Sequence, residues 1–316
     1  MLGMKIFIGH AHHVFGSDRC DVPDVIFIEI FRQWFTVVYN IGPVIGLCQT
    51  PKLPTMAASQ KSVLFITGAF VSNSCWDEWR KYFEAEGYST IAPAWPHKDA
   101  TAEELRNRHP DPLIAGNRLS MLVDHYESIA RQLPGKLILI GHSIGGLTVQ
   151  LLLQRGIGDA GVAIHSVPPQ GVFTFKLSFL KAGWGALGFF TSAKKSYLMS
   201  YPQWQYAFTN GMDSEAQTES YYQYAIPESK LIVRDTITAA AKINFNKPHA
   251  PLLFLAGSND HSIPASLNYS NYRKYRHSNS VTEYKEFSGR NHFVLGQPTW
   301  KENADHILEW LRRQFS

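Results

Sequence analysis

The stretch Leu137–Leu153, LILIGHSIGGLTVQLLL, constrains the chain more than any other. It is an apolar run of strand length, a short glycine-rich turn, and a second apolar run that stops at Gly156. That order reads as a strand buried on both faces, a sharp turn and a helix. A strand buried on both faces needs helices above and below it, which means a parallel sheet in an α/β protein. The turn is Gly141-His142-Ser143-Ile144-Gly145, a serine with glycine two residues to either side. In a tight strand-to-helix turn, larger side chains at those two positions would collide. The same turn lifts the serine hydroxyl above the sheet edge. It also sets the hydroxyl beside a helix N-terminus, whose free amides favour negative charge.

The rest of the chain supports that frame from residue 61 onward. SVLFIT (62–67) reads as a buried strand ending at Gly68, and WDEWRKYFEAEG (76–87) as an amphipathic helix with a glycine stop. YSTIAPAWP is a second strand, residues 93–114 a polar, proline-rich loop, and GNRLSMLVDHYESIARQLPG a long helix. AGVAIHSVPP, APLLFLAG and VTEYKEF are further strands; SLNYSNYRKYRH and WKENADHILEWLRRQF are further helices. Residues 61–167 and 249–316 thus form an α/β core with a mostly parallel sheet. In such sheets ligands sit at the carboxyl ends of the strands. Residues 168–248 interrupt the alternation with about 80 residues of no clear strand character, crowded with aromatics. They read as a mainly helical cap inserted late in the sheet. Trp184 and Trp204 are candidates for a pocket in its inner wall. The apolar segment 177–190, LSFLKAGWGALGFF, is expected to be a buried cap helix rather than a lipid contact, because a helix lying on a membrane should show a strongly charged face.

Residues 1–60 do not match this pattern and read as an extension outside the core, with a functional start near Met56 as one reading. Val25–Cys48 is apolar, but Glu29, Arg32, Gln33 and Asn40 interrupt it and Gly42-Pro43 would break a helix. It is therefore expected neither to span a membrane nor to act as a signal peptide. His10, His12 and His13 cluster there, without the further ligands and rigid scaffold that a metal site needs. Cys20, Cys48 and Cys75 form no disulfide framework, which suits a reducing, cytoplasmic setting. A formal charge of +4, carried by scattered lysines and arginines, gives no basis for nucleic-acid binding.

A serine hydroxyl needs a base to become a nucleophile. Of the 13 histidines, His292 in GRNHFVLG follows a strand and precedes the last helix, which places it at the sheet's carboxyl edge. His142 reads as support packing, and His165, at another strand end, as a possible lining residue. Asp260 in GSNDHSIP lies just past a buried strand and can orient the base. Asp124, inside a helix, is a weaker rival, and His261 reads as a surface residue. An oxyanion would be met by the amide of Ile144 and by one from the loop TGAF, with Ala69 first and Phe70 next. Phe70, His165 and Phe293 are further candidates for contact with a substrate.

ITGAF, GHSIGG, GSNDHSIP and GRNHF, in this order along the chain, make residues 61 to the end resemble the α/β-hydrolase fold superfamily, in its branch of capped serine esterases and lipases. Members often carry His-Gly before the oxyanion donor; here Thr67-Gly68 stands instead, which leaves the donor geometry open. The resemblance implies that Ser143 attacks a carboxylic ester, with His292 as base and Asp260 as orienter, and a small-molecule ester with an apolar or aromatic acyl group as partner. It implies no metal and no organic cofactor. It also leaves room for acyltransferases, perhydrolases or lyases with the same residues, and for a non-catalytic small-molecule receptor on the same fold. Relatives with aspartate as nucleophile are a poorer fit.

Overall fold

The computed structural model describes residues 60–188 and 190–316. The amino-terminal extension, with its histidine cluster, its apolar stretch, Cys20 and Cys48, lies outside the described residues. Six strands, β1 (Lys61–Ile66), β2 (Ser89–Ile91), β3 (Lys136–His142), β4 (Ala160–Ile164), β5 (Leu252–Gly257) and β6 (Thr282–Phe287), form one sheet in the order β2-β1-β3-β4-β5-β6. Every neighbouring pair is parallel. β1, β3, β4 and β5 are buried along most of their length, as their unbroken Val, Ile, Leu and Ala runs require. β6 alternates with charge (TEYKEF) and lies at one edge, where half-exposed side chains suit a strand with a single neighbour.

The helices of the core begin with α1 (Asp77–Ala85), which packs against β2. The stretch read as a loop contains two short helices, α2 (Ala102–Asn107) and α3 (Pro112–Ala115). They are too short to show a period, and their caps define them instead. Thr101 and Glu104 close a capping box on α2, and Asp111 accepts from the amides of Leu113 and Ile114 ahead of Pro112 in α3. β2 is likewise shorter than its apolar run: Pro93 and Pro96 lack the amides needed to continue the ladder. Next comes α4 (Leu119–Ala130), and then α5 (Ile144–Gln154), which follows Ser143 directly and packs over β3 and β4. Its residues Ile144–Leu153 are all buried, so this helix is apolar all round.

Between β4 and β5 the described residues form four α-helices, α6 (Leu177–Leu187), α7 (Tyr201–Ala207), α8 (Ser214–Tyr224) and α9 (Lys230–Asp235), and a short 3-10 turn at Ala239–Ala241. The core closes with α10 (Ala265–Lys274) over β5 and β6, and α11 (Trp300–Gln314). No helix among the described residues is long and apolar enough to cross a membrane.

One expectation fails here. The described residues of 177–190 do not form a buried helix, and the exposed apolar surface extends back to Phe173. Phe173, Phe175, Leu177, Leu180, Trp184 and Phe190 are among the most exposed large apolar side chains of the described residues. Only Ala186 of α6 is fully packed. The amphipathic pattern of α6 is weak because the helix is apolar on its outer face as well, so hydrophobicity alone could not tell inside from outside.

Candidate active site

The site is built from the carboxyl ends of five parallel strands. β3 ends at His142, and the chain turns on Ser143, with φ 57° and ψ −119°, straight into α5. That backbone is strained for a residue with a Cβ, at a cost on the order of 1–3 kcal/mol. The surroundings hold it: the Ser143 amide donates to Ile164 O at 2.9 Å, and Leu147 N donates back to Ser143 O. The flanking glycines are required by close approach. A Cβ on Gly141 would lie 2.2 Å from Gly145 O, and one on Gly145 2.0 Å from Ile66 O. Gly68 serves the neighbouring loop in the same way, since a Cβ there would lie 2.8 Å from the Cβ of Ser143.

Asp260, in the loop after β5, and His292, in the loop after β6, come together with Ser143. His292 Nε2 lies 3.0 Å from Ser143 Oγ, and His292 Nδ1 lies 2.8 Å from Asp260 Oδ2. All three side chains are buried. Asp260 Oδ1 accepts from Ile263 N at 2.7 Å. His165, at the end of β4, does not line a cavity. It is fully buried behind Asp260, with Nδ1 2.7 Å from the same Oδ2. Burial raises the Asp260 carboxyl, but the nearby His292 and the hydrogen bonds from His165 and His292 outweigh it, and the group is held well below the usual carboxylate range. An ionised carboxylate only accepts, so both Nδ1 atoms carry protons toward it. His292 Nε2 is then left with a lone pair facing Ser143 Oγ–H. His165, Asp260 and His292 also have the spacing of a metal cluster, with ligand atoms within 4.8 Å of one another. The nitrogens that face Asp260 are proton donors, however, and cannot be ligands at the same time.

His142 supports this arrangement from below. Its Nε2–H donates to His292 O at 2.8 Å, and its ring packs 4.7 Å from the His292 ring. Burial lowers both His142 and His165 below the ordinary imidazole range. Asp124 lies elsewhere, exposed and paired with Arg155, and His261 Nδ1 donates to Tyr206 O.

A cavity of about 470 Å³ opens over Ser143 and His292. Its walls are mainly apolar and aromatic and include Phe70, Phe173, Phe179, Trp184, Phe208 and Val233. Trp184 therefore lies where a pocket residue should. Trp204 and Phe293 do not: both are buried behind the wall, where Trp204 stacks on Phe208 at 4.5 Å and Phe293 packs on Trp204 at 5.6 Å. Phe208, carried by the cap, stands edge-on to the His292 ring at 4.9 Å and accepts the Phe293 amide on its carbonyl. A second, open cleft of about 630 Å³ lies on the far side of Asp260, between His261, Tyr269, Tyr284 and Glu286, and does not include Ser143.

Ala69 and Ile144 also line the cavity, and no acceptor among the described residues takes either amide. Phe70 differs. Its backbone is left-handed, with φ 67°, and its amide donates to Glu228 Oε2 at 3.3 Å, so it is not free for a bound anion. This corrects the expectation for Phe70, which contributes its ring rather than its amide. Sequence patterns gave no sign of Glu228 or of its partner Lys98. The two form an ion pair with side chains 0% and 3% exposed, and Lys98 also sits 4.2 Å from the centre of the Trp95 ring. Lys98 lies in the proline-rich stretch, and Glu228 precedes a helix like an ordinary cap residue. Only the fold brings them to the loop after β1. That loop is tied to the cap at Ile226 N to Phe70 O and Ser72 N to Tyr224 O as well. Glu228→Ala would leave an unpaired buried ammonium and is expected to cost about 3–5 kcal/mol of stability. Adding Lys98→Met should restore most of it, and urea unfolding of the single and double variants measures both effects.

A profile of the alpha/beta hydrolase family matches residues 63–300. Similar solved structures include an extracellular alpha/beta-hydrolase from a Paenibacillus species, at 17% identity and TM-score 0.60, covering 78% of this chain and 98% of that one. Methylesterase MES16 from Arabidopsis shares 15% identity at TM-score 0.57, with 79% and 98% covered. The monoacylglycerol lipase of Paleococcus ferrophilus shares 18% identity at TM-score 0.53, with 80% and 94% covered. At these identities the likeness is one of fold. Among curated protein sequences none matches the chain. With a six-stranded parallel sheet, a serine on the turn after its third strand and a family match over most of its length, the chain belongs to the alpha/beta hydrolase family.

Proposed function

We propose that the protein hydrolyses carboxylic esters through an acyl-enzyme formed on Ser143. The observation that carries this reading is the chain of contacts Ser143 Oγ, His292 and Asp260, at 3.0 and 2.8 Å, at the floor of an apolar cavity. Ser143 Oγ attacks the ester carbonyl while His292 Nε2 takes its proton. The oxyanion is met by the backbone amides of Ala69, in the loop after β1, and Ile144, at the start of α5, each donor worth roughly 3 kcal/mol of barrier. His292 then passes the proton to the leaving alcohol. Water, activated by the same nitrogen, releases the acid and restores Ser143. Asp260 keeps the proton of His292 on Nδ1 throughout.

The cavity wall favours an apolar or aromatic acyl group of modest size. Hydrolysis of p-nitrophenyl esters from acetate to palmitate tests this directly. Turnover is expected to rise with chain length while the acyl group fills the cavity and to fall once it no longer fits. A fluorophosphonate is expected to add its mass to the peptide that carries Ser143. A folded protein with no turnover across the series and no label on Ser143 would remove the ester reading.

A further inference from the structure

The exposed apolar side chains of the cap form a face that water does not favour. Leu177, Leu180 and Trp184 recur at the spacing of one helical face of α6, and that face points outward. Phe173 and Phe175 extend it on one side, with rings 5.6 Å apart, and Phe190 on the other, 6.5 Å from Trp184. Their exposure ranges from 46% at Leu180 to 90% at Phe190. Six such side chains in one segment are not the scattered apolar residues of an ordinary surface.

Charge carried by this segment itself is of one sign, with Glu286 of β6 lining the same cleft as Lys176. From residue 160 to residue 212 the sequence contains no aspartate, glutamate or arginine, and its lysines are Lys176, Lys181, Lys194 and Lys195. All four are exposed. A face for a second protein copy would bring these lysines toward each other. A face for an anionic lipid surface would pair Lys194 and Lys195 with headgroups while the rings enter the acyl region, Lys181 lying over the Tyr206 ring at 3.9 Å. Trp184 suits the boundary between the two, where an amphipathic ring is favoured. Phe173, Leu180 and Trp184 belong to the cavity wall as well as to the outer face, so the mouth of the Ser143 cavity opens within the patch.

We propose that the described residues of 173–188 and 190–195 dock the protein on an anionic lipid surface, with Phe175, Leu177 and Phe190 inserted and the mouth of the Ser143 cavity turned toward the lipid. The proposal goes beyond ester hydrolysis and does not depend on it, since docking is read without turnover.

The test is flotation of the full-length chain with vesicles of phosphatidylcholine, with and without phosphatidylglycerol. The wild type is expected to float with the anionic vesicles, less so at high salt, and hardly at all with neutral ones. Lys194→Gln with Lys195→Gln is expected to weaken binding about 30-fold, from roughly a fivefold contribution per lysine. Phe175→Ser, Leu177→Ser and Phe190→Ser together are expected to abolish binding. None of these three lines the cavity, so reaction of Ser143 with a small fluorophosphonate should be unchanged, which also verifies the fold. Three results would overturn the proposal: a wild type that ignores anionic vesicles, a triple variant that floats as well as wild type, or loss of a wild-type dimer in the triple variant without any vesicle binding.

Discussion

Ser143→Ala is expected to lower kcat for ester hydrolysis by about 10⁴-fold or more while leaving a folded protein. The substitution removes one oxygen and its 3.0 Å contact with His292 Nε2. The bond is a single neutral hydrogen bond, so its loss should change stability by about 1 kcal/mol at most. The backbone at φ 57° remains, because the glycines, Ile164 O and Val167 N that hold the turn are untouched. Ser143→Gly separates the two roles of this residue. Glycine adopts positive φ without steric cost, so this variant should be as inactive as Ser143→Ala and at least as stable. Steady-state kinetics on the preferred p-nitrophenyl ester, beside urea unfolding of the three proteins, measures both effects. Retention of more than about a hundredth of the wild-type rate in either variant would mean that Ser143 is not the nucleophile, given the scale of loss expected for that role.

The sequence made some parts of this molecule legible and hid others for physical reasons. The strand-turn-helix around Ser143 is readable because its requirements are local: two apolar runs fix the buried elements, and steric contact fixes Gly141 and Gly145. The loops that hold Asp260 and His292 are readable because parallel strands all deliver their carboxyl ends to one edge. The partners of these residues are a different matter. His165 and His292 share one oxygen of Asp260 across separations of 95 and 32 residues, and no spacing rule encodes that. Lys98 and Glu228 meet across 130 residues, in segments whose composition suggests solvent. The cap was legible as an aromatic insertion, but not in orientation. Trp204 and Trp184 look alike as letters, yet one is fully buried behind the cavity and the other is 66% exposed at its mouth. Burial of an aromatic in an irregular helical cap depends on tertiary packing, and composition carries little information about it.

Asp260→Asn is expected to reduce kcat about 10⁴-fold with a much smaller change in KM, through the proton positions of two histidines. The carboxylate accepts three hydrogen bonds, from His165 Nδ1, His292 Nδ1 and Ile263 N. Asparagine has one accepting oxygen and a nitrogen that donates. If the oxygen stays with Ile263 N, the amide nitrogen faces both imidazoles and can donate to a ring nitrogen only if that nitrogen has lost its proton. The proton of His292 then moves to Nε2, where it faces Ser143 Oγ and blocks general-base catalysis. His165→Phe acts on the same oxygen but leaves His292 its proton acceptor. It should reduce stability, by about 1.5–3 kcal/mol for a lost bond to a charged group, more than it reduces kcat. The acid limb of stability gives an independent reading. Because the Asp260 carboxyl titrates well below its unfolded value, the stability it contributes is fully present above the unfolded pKa of about 4 and is lost as the pH falls toward the folded one. Asp260→Asn should therefore flatten the decline of the urea midpoint between about pH 4 and pH 2, the range in which an ordinary aspartate takes up its proton. An unchanged acid limb would show that Asp260 is not held ionised by its two histidines, and a near-normal kcat would show that the tautomer of His292 is set by something other than this carboxylate.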